Sequence, residues 1–530
     1  MKKIITIFFL LPTIVASATN YYLSPSGNDN NSGTIGSPYF TLNKAWAVVA
    51  AGDTVYLRGG TYNWSIQQYL IGKNGNSSNK IYVWNYPGES PVLTQSGSYP
   101  VDGQELIYFQ GNYVHWKGLE IANCTRDVNY GAFRTEAASN CIWERIYYHH
   151  NKLGFALRGQ VGTTTNNLIL NCDFAFNEDP ALDNADGINI TYISNTSSTN
   201  TVRGCRAWNN SDDGFDNWEN QGTVIYENCW AWRNGYKENG TDAGDGGGFK
   251  FGQTGSSTSV RRVVKNCVAA NNRKWGFVEN SSQFDMEFFN NSAANNGVIN
   301  WWFGDWGPYP SNKQFTNNTY VGAGEGLFGD YGYRLYSGTT QTTNSWNTGD
   351  IATSADFVSN DYTQLANARQ SDGSLPEITY LHLVTGSDLI DAGTNVGLSY
   401  NGTAPDLGAF ESGGTSNNPP TANAGTDQTI TLPTNSVTLT GSGTDTDGTI
   451  ASYLWSKISG PVTFTIVSPS AAQTVINNLV QGTYVFRLTV TDNSGATGYD
   501  DIQVTVDAAP SSPPSGSVFL LKGKKYIFKN

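Results

Sequence analysis

Leu168-Ile169-Leu170-Asn171-Cys172, Val202-Arg203-Gly204-Cys205, Tyr226-Glu227-Asn228-Cys229 and Val264-Lys265-Asn266-Cys267 repeat one pattern, apolar residues that run into a turn residue and a cysteine. The same phase then reads Asn291-Ser292 and Asn318-Thr319. Successive copies are interleaved with a glycine followed by an aromatic or aliphatic residue, as in Gly154-Phe155, Gly187-Ile188, Gly214-Phe215, Gly248-Phe249, Gly276-Phe277 and Gly297-Val298. Short β-rich segments between Asn, Gly, Ser and Asp turns fill an irregular period, and helical periodicity is scarce. An internal repeat of this kind marks a solenoid. Strand-sized segments make it all-β, a right-handed parallel β-helix whose coils stack at about 4.8 Å.

The 530 residues leave room for one long solenoid and a small second domain. Residues 1–18 read as a signal peptide: Lys2 and Lys3 precede an apolar run from Ile4 to Val15 and a small-residue cleavage site at Ala16-Ser17-Ala18. The expected location is therefore secreted or at the cell surface, and no later apolar run is long enough for a membrane span. Six cysteines in an exported chain ordinarily suggest disulfides. Four of them, however, share a phase that also takes Ser292 and Thr319, so a small side chain is what the phase needs and buried free thiols are expected. The neighbouring Asn residues are expected to hydrogen-bond from coil to coil.

Aligning the coils on the glycine step assigns faces, because side chains along a strand alternate. Phe155, Ile188, Phe215, Phe249 and Phe277 form an inward column, and Asn189, Asp216, Lys250 and Val278 share the outward face one residue later. Asp186 falls beneath Asp213, with Asp212 beside it. Any one Asp-Gly pair is an ordinary turn former. Asp186, Asp212, Asp213 and Asp216 on adjoining coils repel one another unless a cation joins them, and oxygen ligands on fixed corners suit calcium better than magnesium. Lys250 stands one coil above Asp216, after Gly246, Gly247 and Gly248, which are expected to leave open backbone around it. A nearby divalent cation disfavours its ammonium form and lowers its pKa toward that of a general base, while the carboxylates push the other way. The competing reading is a solvated lysine paired with Asp216.

The segments Asn184-Ala185-Asp186-Gly187, Ser211-Asp212-Asp213-Gly214-Phe215-Asp216 and Gly247-Gly248-Phe249-Lys250 resemble those of the family 9 polysaccharide lyases, calcium-dependent parallel β-helix enzymes acting on pectic polymers. The resemblance is strongest from Asn184 to Gly252. It implies Ca2+ carried by Asp186, Asp212, Asp213 and Asp216, with Lys250 as the catalytic base. Tyr21-Tyr22-Leu23-Ser24-Pro25-Ser26-Gly27 and Gly52 to Tyr62 resemble the opening coils of exported β-helix proteins, and Asp406-Leu407-Gly408-Ala409-Phe410-Glu411 resembles their close.

The chemistry expected of such a site is β-elimination on an acidic plant cell-wall polysaccharide. The C5 hydrogen of a uronate is α to a carboxylate, and a cation bridging that carboxylate stabilises the charge that develops. A cation also explains how a chain of net charge −13 accepts a polyanion, and this charge argues against nucleic acid as a partner. Polygalacturonate is the first expectation and rhamnogalacturonan the second. Arg233, Arg273 and Lys274 are candidates for neighbouring sugar carboxylates and Trp218, Trp230 and Trp232 for sugar stacking, although each reads equally as a structural or surface residue. A β-helix glycoside hydrolase would need two carboxyls flanking a water, and the Gly-His-Gly motif of polygalacturonases is missing. A non-catalytic glycan-binding or adhesion protein is the third reading, since fold alone does not give function. A monomer is expected.

Residues 19–412 are thus assigned to a catalytic β-helix and 413–420 to a linker. From 421 to 507 the pattern alternates in period two, as in Val485-Phe486-Arg487-Leu488-Thr489-Val490. With Asp445-Thr446-Asp447-Gly448 and Tyr453-Leu454-Trp455 this segment resembles a PKD-type, immunoglobulin-like β-sandwich. Residues 508–530 are a second linker and a basic, apolar tail that reads as a sorting remnant, an extra strand or a frayed end.

Overall fold

The computed structural model of the chain describes residues 18–95, 105–125, 131–252, 256–304, 312–322, 332–336, 338–349, 351–413, 419–446, 448–492, 495–510, 518–521 and 524–527. The expected signal peptide up to Ser17 lies outside them, as do Asp447 and parts of both linkers and of the tail. Residues 1–413 and 414–530 form two units.

In the first unit the chain visits three sheets in turn. Asn167–Leu170, Asp173–Ala175 and Ile188–Thr191 make one coil, and Thr199–Arg203, Arg206–Trp208 and Phe215–Asp216 make the next. Every third strand pairs in parallel, which gives sheets of 12, 10 and 10 strands among the described residues. The register puts Phe155, Ile188, Phe215, Phe249 and Phe277 in one column, all fully buried. The rings of Phe215 and Phe249 stack at 4.7 Å and those of Phe249 and Phe277 at 5.0 Å.

A buried asparagine ladder runs beside this column. Asn177, Asn210, Asn234, Asn272 and Asn296 each donate Nδ2 to Oδ1 of the next asparagine, the last to Asn300, at 2.8 to 2.9 Å. The same Oδ1 atoms accept backbone N–H groups, so amides that a coil corner would otherwise bury unpaired are satisfied. The repeated glycine follows from the ladder. A Cβ at Gly214, Gly248 or Gly276 would stand 2.7 to 2.8 Å from a ladder Nδ2.

All six cysteines are buried free thiols, and the column of Cys172, Cys205, Cys229 and Cys267 is confirmed. Its continuation differs from the sequence expectation. Ser292 pairs with Val268 and Thr319 with Ser292, so Asn291 and Asn318 follow Cys267 in the column. The position is not selected for small size. The Cys229 thiol donates to Val202 O at 3.4 Å, and Asn291 Nδ2 donates to Val264 O at 3.0 Å, so amide and thiol do the same job with different strength.

Thr41 caps a short helix, Leu42–Val48, near the start of the unit. At the other end, the segment from Ala352 to Phe410 lies across the third sheet, packing Phe357, Leu365, Tyr380 and Leu389 against Trp230, Trp232, Val268 and Val321. Arg369 and Arg206 both bind Asp173, which anchors this strap to an earlier coil.

The second unit is a β-sandwich. Gln428–Thr431, Ile450–Ser459, Gly482–Asp492 and Thr497–Asp507 form one sheet and Val437–Thr440, Thr465–Ile466 and Gln473–Asn477 the other, around Trp455, Tyr484, Phe486 and Leu488. Within the tail, Val518–Leu521 and Lys524–Ile527 pair as an antiparallel hairpin. Among the described residues no helix is long and apolar enough to cross a membrane.

Candidate active site

The second sheet presents its outward residues as a row: Tyr108, Arg134, Ala156, Asn189, Asp216, Lys250 and Val278 stand in register on successive strands. Asp186 and the pair Asp212 and Asp213 come from the turns that enter the strands Ile188–Thr191 and Phe215–Asp216. The structure thus brings together all five residues of the expected cluster. Asp186, Asp212 and Asp213 each place a carboxylate oxygen within 4.8 Å of the others, a spacing that can hold a metal ion.

Backbone groups hold these carboxylates in place. Asp186 Oδ1 accepts Asp213 N–H at 3.2 Å, Asp212 Oδ1 accepts Asp245 N–H at 2.7 Å, and Asp213 Oδ1 accepts Gly247 N–H at 2.6 Å. Lys250 Nζ donates to Asp213 Oδ2 at 2.8 Å and lies 4.0 Å from Asp216 Oδ1. Asn189 Nδ2 bridges Asp186 and Asp216 at 3.2 and 3.4 Å. Asp216 Oδ1 is buried and accepts no hydrogen bond among the described residues.

One lysine does not neutralise four buried acids. Burial, then the charges of Asp216, Asp212 and Asp213, push the Asp186 carboxyl well above its ordinary range. Burial and Asp213 do the same to Asp212, and burial pushes Asp216 up to about 6 despite the opposing pull of Lys250. Burial opposes the charge on Lys250, but Asp213, Asp216, Asp186 and Asp212 outweigh it and hold the ammonium well above its usual pKa. A hard cation among these oxygens relieves both strains, so the donor set fits calcium.

A cavity of about 480 Å³ opens over the cluster, lined in part by Asp186, Asn189, Asp212, Asp216, Trp218 and Lys250. Trp218 is therefore placed in the site, its ring 5.9 Å from Lys250 Nζ. The other candidates go elsewhere. Trp230 and Trp232 are buried under the strap, which removes them from sugar contact. Arg233 stacks on Tyr236, Arg273 binds Gly244 O and Asp242, and Lys274 pairs with Asp245; none of the three lines the cavity. Arg273 and Lys274 instead hold the loop whose Asp245 N–H supports Asp212.

The glycines before Lys250 do not leave open space. A Cβ on Gly247 would stand 2.9 Å from Asp213 Oδ1, and one on Gly246, at φ +75°, 2.8 Å from Asn234 O. They are needed for close packing of coil on coil and for the Gly247 N–H bond to Asp213. The sequence reading also missed Arg158, Thr191 and Tyr192, which line the same cavity. Arg158 and Thr191 are register partners. They occupy the next outward phase, two residues beyond Ala156 and Asn189, and continuing the alternation one more step would have found them.

Relatives of known activity share most of the first unit. A pectate lyase L of Dickeya chrysanthemi is 32% identical over 410 residues, 74% of this chain and 90% of its own length. One from Paenibacillus polymyxa is 34% identical over 410 residues, 72% of this chain and 85% of its own. The crystal structure of pectate lyase Pel9A superposes with a TM-score of 0.64 at 31% identity, over 75% of this chain and 97% of that one. A solved rhamnogalacturonan lyase gives 0.60 at 26% identity, over 69% and 97%. The protein is a polysaccharide lyase. Residues 21–317 match the family described as Pel9A-like, right-handed β-helix region, and the chain belongs to it; residues 424–506 match a PKD domain family.

Proposed function

We propose that the protein is an exported, calcium-dependent lyase that cleaves polygalacturonate by β-elimination, with Lys250 as the base. The observation that carries this is the contact of Lys250 Nζ with Asp213 Oδ2 at 2.8 Å, at the edge of a carboxylate cluster more acidic than one lysine can balance. Asp186, Asp212, Asp213 and Asp216 would hold calcium. A cation held by these carboxylates would supply positive charge that offsets the negative charge developing beside C5 and compensates the acids that keep Lys250 protonated.

Lys250, once neutral, takes the C5 proton on Nζ. The C–H electron pair becomes the C4=C5 double bond, the C4–O bond breaks, and the departing glycosidic oxygen takes a proton from solvent. Asp213 and Asp216 orient the amine toward the cavity, and Trp218 gives it an aromatic wall. The relatives that are named pectate lyases support this substrate. The likeness to a rhamnogalacturonan lyase favours a second reading, the same chemistry on a polymer with neutral sugars between uronates.

Ultraviolet absorbance from unsaturated uronides, measured on both polymers in calcium and in chelator, tests this. Calcium-dependent absorbance on polygalacturonate, lost in Lys250→Ala, is the expected result. Absorbance on rhamnogalacturonan alone selects the second reading, and none on either polymer with folded protein refutes both.

A further inference from the structure

The cavity over the acidic cluster contains a cation that the elimination chemistry leaves unused. Among its described lining residues, Arg158 and Lys250 carry positive charge. The strand Phe155–Arg158 lies three strands from Gly247–Lys250 in the sheet order, about 14 Å along the groove at the usual strand spacing. Arg158 is only 4% exposed, and its guanidinium carbon sits 4.4 Å from the centre of the Tyr192 ring. Stacking on an aromatic face fixes the plane of the fork, and a fixed fork matches a carboxylate better than a mobile ammonium does. Thr191, its register partner, is 1% exposed, lines the same cavity, and has an Oγ1 with no hydrogen-bond partner among the described residues. A buried hydroxyl left unpaired costs stability unless something that enters the cavity satisfies it.

We propose that Arg158, with Thr191 beside it, forms a subsite for the carboxylate of a second uronate, displaced along the groove from the sugar that gives its proton to Lys250. The inference rests on the proposed elimination and names what it selects: a run of free uronates, over a polymer whose carboxyl groups at that distance are esterified or absent. The net charge of −13 makes such a cation useful, because the groove otherwise meets a polyanion with four acids of its own.

The test separates binding from chemistry. In the inactive Lys250→Ala background with calcium present, binding of an oligogalacturonate and of its methyl ester is measured by calorimetry, with and without Arg158→Gln. Affinity for the free acid should fall about tenfold or more while the ester is unaffected, as for loss of a charge-assisted pair. In the active enzyme Arg158→Gln should raise KM with kcat nearly kept, and Arg158→Lys should recover part of the loss. Thr191→Val keeps the shape of the side chain and guards against misfolding of the arginine variants; it should weaken the free acid by about threefold and leave the ester alone. Equal losses for acid and ester, or no loss, overturn the subsite. Wild-type protein that forms no unsaturated product on polygalacturonate refutes the substrate reading and the subsite with it; product with unchanged affinity in Arg158→Gln refutes the subsite alone.

Discussion

Truncating one rung of the asparagine ladder should cost more than its size suggests. Asn272 makes four side-chain hydrogen bonds: Nδ2 donates to Asn296 Oδ1 at 2.9 Å and to Ala231 O at 3.1 Å, and Oδ1 accepts Asn234 Nδ2 at 2.9 Å and Asn234 N–H at 3.1 Å. In Asn272→Ala, Asn234 Nδ2 keeps Ala207 O, and Asn296 Oδ1 keeps the backbone N–H of residue 272. The Asn234 N–H loses its side-chain acceptor in a fully buried corner. One orphaned donor costs about 1–3 kcal/mol and each of the three other lost bonds about 0.5–1.5 kcal/mol net, so the expected loss is about 3–7 kcal/mol. Guanidinium unfolding followed by tryptophan fluorescence reads it, because all but Trp455 of the 15 tryptophans belong to the first unit. The midpoint should fall with an unchanged slope. Asn360→Ala, which removes one exposed bond to Ser354 O, should shift stability by no more than about 0.5 kcal/mol. A loss in Asn272→Ala as small as that control would refute the reasoning, since the ladder would then be no better than water.

Other outcomes follow from the same structure. Lys313 and Glu279 form an almost fully buried pair at 2.9 Å, so Lys313→Met should cost about 3–5 kcal/mol and Lys313→Met with Glu279→Gln much less, as a double-mutant cycle in denaturant would read. Burial and Asp406 push the Glu411 carboxyl from 4.5 up to about 7, so the folded chain holds a proton that the unfolded chain releases. Its contribution to stability therefore falls as pH rises from about 4.5 to 7, and Glu411→Gln should flatten the melting temperature over that window. Calcium should raise the melting temperature of the β-helix by mass action, about 2.7 kcal/mol at a hundredfold excess over Kd. In Asp186→Asn that rise should shrink or vanish; an undiminished rise would place calcium elsewhere.

The site was legible because strand alternation and the glycine step together fix the phase. Once Phe215 and Phe249 are inward, Asp216 and Lys250 have to be neighbours on the outer face. The alternation fails where chain length between coils varies by one. Nothing local distinguishes Asn291 from Ser292 as the successor to Cys267, and only the strand pairing decides it. Contacts between distant segments are less legible still. Trp230 and Trp232 have the spacing of an exposed aromatic pair, and the strap that buries them comes more than a hundred residues later. The helix Leu42–Val48 spans only two turns, too few for a periodic signal.

The strap changes how this molecule can come apart. A solenoid whose coils touch only their neighbours can fray from an end, one repeat at a time. Here a single segment packs across the strands Trp230–Trp232, Val268–Ala270, Ser292–Ala294 and Thr319–Val321, and Arg369 fastens it to Asp173, Cys172 O and Gly204 O. The last coils cannot peel away while that fastening holds, and once it lets go several coils lose their cover together. Melting becomes a shared event rather than an unravelling, and a protease nick in the strap would loosen coils far from the cut.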